Sequence, residues 1–166
     1  MPNGWEAYTT AMNQFYSAKK DKVVRTNVCT SCAIYGLDGT LWAASEKWTP
    51  FTSYDYELEG LDESEKQTIK IDEFKIATMV ADGNRTPTAA GIRLCGTKFM
   101  MNNSSDGITM MNKQGGGGAT IGKTGKALVM GIWDKDALTS EGTNQDAFDI
   151  SMNVEKVVGF LKAAGF

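Results

Sequence analysis

At 166 residues the chain suits one domain with a single real core, and its 42% apolar content with a net charge of −3 describes an acidic folded globule. That charge excludes broad nucleic-acid binding, which needs an excess of Lys and Arg to displace counterions from phosphate. The complete lack of histidine excludes Ser-His-Asp and Cys-His catalysis and histidine-held metals.

Trp5, Tyr8, Met12 and Phe15 recur at helical spacing, so an amphipathic helix is predicted over residues 4–19, ended in solvent by Lys19-Lys20-Asp21-Lys22. Cys29-Thr30-Ser31-Cys32 follows, a C-x-x-C spacing that elsewhere marks a redox pair or half a zinc site. Cys95 is the only other thiol, so tetrahedral zinc within one chain would need a carboxylate as fourth ligand. Residues 29–35 read as a strand, which sends side chains three apart to opposite faces. Reduced thiols packed in or beside a sheet are therefore expected. Cys32-Ala33-Ile34-Tyr35 and Thr40-Leu41-Trp42-Ala43 flank Gly36-Leu37-Asp38-Gly39, and Asp-Gly between apolar runs is a strong hairpin signal.

Across residues 51–67 acidic side chains crowd together: Asp55, Glu57, Glu59, Asp62, Glu63 and Glu65 precede the first base, Lys66. A surface excursion is expected there, with Phe51, Tyr54 and Tyr56 pinning one end to the body. A second helix is predicted over 72–82, with Asp72 as N-cap and Ile71, Phe74, Met79 and Val80 available for burial. Short strands follow near 91–94, 98–101 and 107–111, and then a glycine run at 115–118.

Gly117 opens and Thr124 closes a literal G-x-x-x-x-G-K-[ST] phosphate-loop match, Gly-Gly-Ala-Thr-Ile-Gly-Lys-Thr. Such a loop must lead into a helix whose N–H groups hold the phosphates. Here Ala127-Leu128-Val129-Met130-Gly131-Ile132-Trp133-Asp134 follows, rich in β-formers, and Gly125-Lys126 leaves room only for a tight reversal. Residues 120–132 read instead as a hairpin turning at 123–126, with nucleotide binding at Gly117 to Thr124 kept as the alternative. A last helix is predicted over about 146–164 on the stripe Val154, Val157, Val158, Leu161. The order gives an α+β class, a mostly antiparallel sheet with the terminal helices against a face.

Several of these blocks together resemble profilin, the small actin-monomer-binding family. Trp5 and Tyr8 are similar to its opening Trp-x-x-Tyr, and residues 35–45 to its first hairpin with a tryptophan on the second strand. Gly91-Ile92-Arg93-Leu94-Cys95-Gly96-Thr97-Lys98-Phe99-Met100 resembles its Gly-Thr-Lys strand pair. Residues 113–134 are similar to its last hairpin, and Phe160-Leu161 to Gly165-Phe166 to its terminal helix. The acidic segment is longer than in animal or plant members, which suits a divergent form from a single-celled eukaryote.

The resemblance implies one profilin-like domain over 1–166: a central antiparallel sheet, the N- and C-terminal helices on one face and a shorter helix on the other. It implies no catalysis and no cofactor or metal. Trp5, Tyr8, Trp42, Phe160, Leu161 and Phe166 would line a trough for proline-rich segments such as those of formins, whose polyproline II form is already extended. Phenylalanine at 160 and 166 departs from the hydrogen-bonding side chain the family often carries there. Lys98, Lys113, Lys123 and Lys126 would form a positive patch toward acidic actin, completed by Met152 and Lys156 beside Ser151 and Glu155. Weak contact with anionic phosphoinositides, a monomeric state, and a cytosolic, cytoskeleton-associated location are also expected. The last accords with the lack of any apolar run near the roughly 18 residues that span a bilayer, and with a start that lacks signal-peptide order.

Overall fold

The computed structural model describes residues 4–59, 64 and 66–166. In chain order these form α1 (Gly4–Met12), β1 (Gln14–Ser17), β2 (Lys22–Thr26), β3 (Ser31–Gly36), β4 (Leu41–Ala44), β5 (Ser53–Leu58) and β6 (Gln67–Asp72). Then come α2 (Glu73–Ala81), β7 (Ile92–Leu94), β8 (Thr97–Ser105), β9 (Ile108–Lys113), β10 (Gly118–Lys123), β11 (Ala127–Trp133) and α3 (Ala147–Ala163). Seven strands make one antiparallel sheet in the order β4-β3-β11-β10-β9-β8-β7, and β1-β2 and β5-β6 are separate two-stranded ribbons.

Because β3 and β11 run through the middle and both sheet faces are covered, they are apolar at nearly every position rather than at alternate ones. Ala33, Tyr35, Leu128, Met130 and Ile132 face one core, where Ile76, Ala77 and Val80 of α2 are buried. Cys32, Ile34, Ala127 and Val129 face the other, filled by Met12 of α1 and by Ile150, Val154, Val157 and Leu161 of α3. The expected architecture is thus the observed one: terminal helices on one face, the shorter helix on the other. Burying one such side chain contributes about 1.5–3 kcal/mol, which is why these stripes hold the helices down.

The helix starts follow their capping residues. Asp72 accepts the Lys75 N–H at 3.2 Å, and Asp146 accepts the Asp149 N–H at 2.9 Å, each satisfying an orphan donor of a first turn. Gly122 lies beneath α3, where an added β-carbon would come within 2.7 Å of Val158 and 2.8 Å of Ile108. The missing side chain is what lets α3 approach the sheet so closely.

Two expectations need correction. The helix over 4–19 ends at Met12, and Phe15 belongs to a β1-β2 ribbon that turns through Asp21, whose φ is 49°. Phe15 fits a helical spacing and a strand equally well, and the β-branched pair Val23-Val24 supplies the partner strand that decides for β. In the acidic segment Phe51, Tyr54 and Tyr56 pin the chain to the body as expected, but residues 53–58 pair with 67–72 as a ribbon rather than lying as an irregular excursion. Tyr54 pairs with Ile71 and Tyr56 with Ile69, and this alternate set packs on the body while Asp55 and Glu57 face solvent. Asp62, Glu63 and Glu65 lie outside the described residues. No described helix is long and apolar enough to cross a membrane.

Candidate functional site

Four of the six predicted trough residues meet where the start of α1, the edge strand β4 and the chain end converge. Trp5 lies with its ring centroid 4.6 Å from Trp42, 4.9 Å from Phe166 and 5.7 Å from Tyr8. Phe166 packs edge-on against Trp42 at 5.7 Å. All four rings are half-buried, so each offers a face or an edge to solvent. The antiparallel run of α1 beside α3 brings residues 5 and 166 together, and the Phe166 N–H donates to the Leu161 carbonyl at 2.9 Å to fix the chain end.

Leu161 is fully buried and forms part of the core beneath the rings. Phe160 points elsewhere. It is half exposed and lines a groove of about 740 Å³ between α3 and the β1-β2 ribbon, together with Phe15, Tyr16, Val23, Met152 and Lys156. Met152 and Lys156 thus share a surface with Phe160, and Lys156 Nζ sits 5.5 Å above the Tyr16 ring. Sequence reasoning misses Tyr16 because the helical stripe extends over β1, and Val23 because no element is predicted over residues 22–26. The signal that finds them is the β-branched run beginning at Val23.

The four lysines do not form one patch. Strand register puts Lys98 and Lys113 at one end of the sheet, with the Gln114 N–H donating to the Lys98 carbonyl. Lys123 and Lys126 lie at the other end, across the length of β10, about 17 Å at roughly 3.3 Å per residue. Lys113 is half-buried and pairs with Asp134, and burial pushes its ammonium below the usual range. Lys123 pairs with Asp82 at 2.6 Å. Lys98 and Lys126 are exposed, and Lys126 reaches to 5.9 Å above the Phe166 ring, at the margin of the trough.

The phosphate-loop match lies on β10, whose residues 118–123 pair with β9 on one side and β11 on the other. No helix follows it. Thr124 instead organises the tight turn, its hydroxyl accepting the Ala127 N–H at 2.9 Å. Cys29 precedes β3 and Cys32 lies within it. The bend at Thr30 carries both side chains into the same cluster, contrary to the opposite faces expected of one continuous strand.

The family model for profilin matches residues 13–166. Among solved structures the chain is similar to Acanthamoeba castellanii profilin IA, with 19% identity, coverage of 98% of this chain and 100% of that one, and a TM-score of 0.61. It is similar also to mouse profilin IIa, solved in complex with a double repeat from the FH1 domain of mDia1, with 18% identity, 98% and 99% coverage, and a TM-score of 0.58. Human profilin II gives 17% identity, 96% and 99% coverage, and a TM-score of 0.57. At these identities the structural likeness shows the fold.

Proposed function

The chain belongs to the profilin family, and from that premise we propose that it binds monomeric actin and proline-rich segments at separate surfaces and so regulates actin polymerisation, without catalysis of its own. The observation that carries this reading is the open cluster of Trp5, Tyr8, Trp42 and Phe166. A polyproline II strand has lost most of its conformational freedom before it docks, and its pyrrolidine rings stack on flat aromatic faces at little entropic cost. Indole N–H and phenol O–H groups donate to ligand carbonyls that no internal bond satisfies. Proline-rich repeats of actin-assembly factors such as formins fit this surface, as the mouse relative holds a double FH1 repeat.

Within this reading actin contacts Lys98 and Lys113 at the sheet end and the α3 surface at Met152 and Lys156. Faster nucleotide exchange on bound actin follows if that contact loosens the actin cleft. Phosphoinositide headgroups compete weakly for the same lysines, at about 1 kcal/mol per charge near the surface. The test is a titration with an oligoproline peptide followed by tryptophan fluorescence, and a second with pyrene-labelled actin, alone and with the peptide present. Both ligands are expected to bind, and to bind together. Failure of the folded protein to take up oligoproline would end this reading.

A further inference from the structure

The C-x-x-C pair has no part in either surface, yet its setting is more specific than that of two packed thiols. Thr30 bends the chain between the cysteines and is held there, its N–H donating to the Ile132 carbonyl and its hydroxyl to Gln145 Oε1, both at 2.8 Å. The Cys29 N–H donates to Asn13 Oδ1 at 3.2 Å and the Cys32 N–H to Ser45 Oγ at 2.9 Å, so both backbones are fixed. Both side chains sit in one buried cluster, close enough that each thiol acts on the other's ionisation. They are buried from bulk solvent but line one cleft of about 400 Å³, with Asn13, Ser45, Lys47 and Gln145 around them. Among the described residues no group of three or more Cys, Asp or Glu gathers to hold a metal ion, so the pair stands as a dithiol.

We propose that Cys29 and Cys32 form a reversible intramolecular disulfide, driven by a small hydroperoxide that enters this cleft. Cys32 is the attacking sulfur: the neighbouring Cys29 thiol, with Ser45 beside it, lowers its pKa below that of an ordinary thiol despite burial. Cys29 is shifted the opposite way, by its neighbour Cys32 and by burial, and keeps its proton. The Cys32 thiolate attacks the peroxide, an S–O bond forms, the O–O bond breaks, and the leaving oxygen departs as water or an alcohol after taking a proton. The Cys29 sulfur then attacks the Cys32 sulfenic acid. An S–S bond forms, the S–O bond breaks, and hydroxide leaves as water with the Cys29 proton. Two thiols lose two electrons and the peroxide gains them. A dithiol reductant reverses the step by exchange.

The oxidation reaches α1. In the reduced protein the Cys32 thiol contacts the Thr9 carbonyl at 3.7 Å, one residue beyond Tyr8. A disulfide has no S–H to donate, so that tie between sheet and helix is lost on oxidation. The experiment treats the intact native protein with hydrogen peroxide and reads intact mass, peptide mapping and amide hydrogen exchange. The expected result is loss of two hydrogens, a Cys29–Cys32 linked peptide with Cys95 still open to alkylation, reversal by a dithiol, and faster exchange of α1 amides after oxidation. Cys29→Ser should stop at a sulfenic acid on Cys32 that a 1,3-dione traps, while Cys95→Ser should oxidise as the native chain does. Three alkylatable thiols after treatment, oxygen addition without the link, or a bond between chains through Cys95 would overturn the proposal. Unchanged exchange in α1 would overturn its link to that helix. Should Cys29→Ser fail to fold, the peptide map of the native chain decides alone.

Discussion

The Trp42 indole lies so close over Gly36 that a β-carbon built there would sit 2.8 Å from Cε2 and Cζ2 of the ring. The hairpin that carries Trp42 therefore needs glycine at position 36 because the tryptophan occupies the space a side chain would take. Gly36→Ala should displace the indole from its contact with Trp5 and Phe166. Overpacking of this kind costs about 1–3 kcal/mol of stability, and the displaced ring should weaken oligoproline binding about tenfold. Denaturant melts and peptide titration check both; unchanged affinity would show that Trp42 is not a wall of the site.

Trp5 makes the most contacts in the cluster, touching Tyr8, Trp42 and Phe166. Truncating such a central aromatic removes contact area and lets its neighbours collapse. Trp5→Ala should weaken oligoproline binding by about 2 kcal/mol or more, with actin affinity nearly unchanged. Parallel loss of both would instead report a folding defect, which circular dichroism of the variant separates.

The layers of the fold were legible because they rest on periodicity and caps. The α3 stripe, the Asp72 cap and the Asp38-Gly39 turn each act within a few residues, and each is found where expected. What the sequence hid depends on contacts between distant segments. Phe15 became a strand residue because residues 22–26 pair with it, and Phe160 left the trough because that ribbon offered a second apolar surface. The lysine patch failed for a related reason. Charge and exposure can be read locally, but Asp134 and Asp82, which pair with Lys113 and Lys123, come from other elements.

The β1-β2 ribbon is anchored to α3 by an ion pair and by Asn153, whose Nδ2 donates to the Gln14 carbonyl at 2.9 Å. Arg25 donates from Nε and Nη2 to both oxygens of Asp149, at 2.7 and 2.5 Å, and its guanidinium covers the Phe15 ring at 4.2 Å. The carboxylate is nearly buried and the guanidinium partly exposed, so the loss on breaking the pair falls below that of a fully buried one. Asp149→Asn should cost about 1–3 kcal/mol and speed amide exchange across residues 14–26 more than in α2. Equal protection of the ribbon in both proteins would show that the ion pair does not hold it and that packing and the Asn153 bond suffice.

Cys95 occupies the β7-β8 turn at φ 53°, and burial, aided by the Glu73 charge, pushes its thiol up to about 12. A raised thiol pKa means that the folded state favours the protonated form. The stabilisation is complete below the unfolded value of 9.0 and is lost as pH rises from there toward about 12. Cys95→Ser removes the titration, so its stability should fall less steeply across that window. Denaturant melts of the two proteins at matched pH isolate the difference, since every other residue is the same in both. The native thiol should also alkylate more slowly than a free thiol just below the ordinary cysteine pKa.

Of Lys98, Lys113, Lys123 and Lys126, only Lys98 and Lys126 are exposed, and they sit at opposite ends of the sheet. If actin approaches the end that carries Lys98, charge reversal there should slow association and cost about 0.5–1 kcal/mol, the range of exposed charge pairs. The effect should shrink as salt rises through the physiological range, because such contacts are screened. Lys126→Glu should leave actin binding unchanged and act on oligoproline instead, since its ammonium neighbours the Phe166 ring. Stopped-flow association with pyrene-labelled actin at two salt concentrations, run beside the peptide titration, gives four rates and affinities whose pattern is diagnostic. Equal effects of the two reversals on actin would mean that net charge, not position, governs the encounter, and would remove the reason for assigning the Lys98 end to actin.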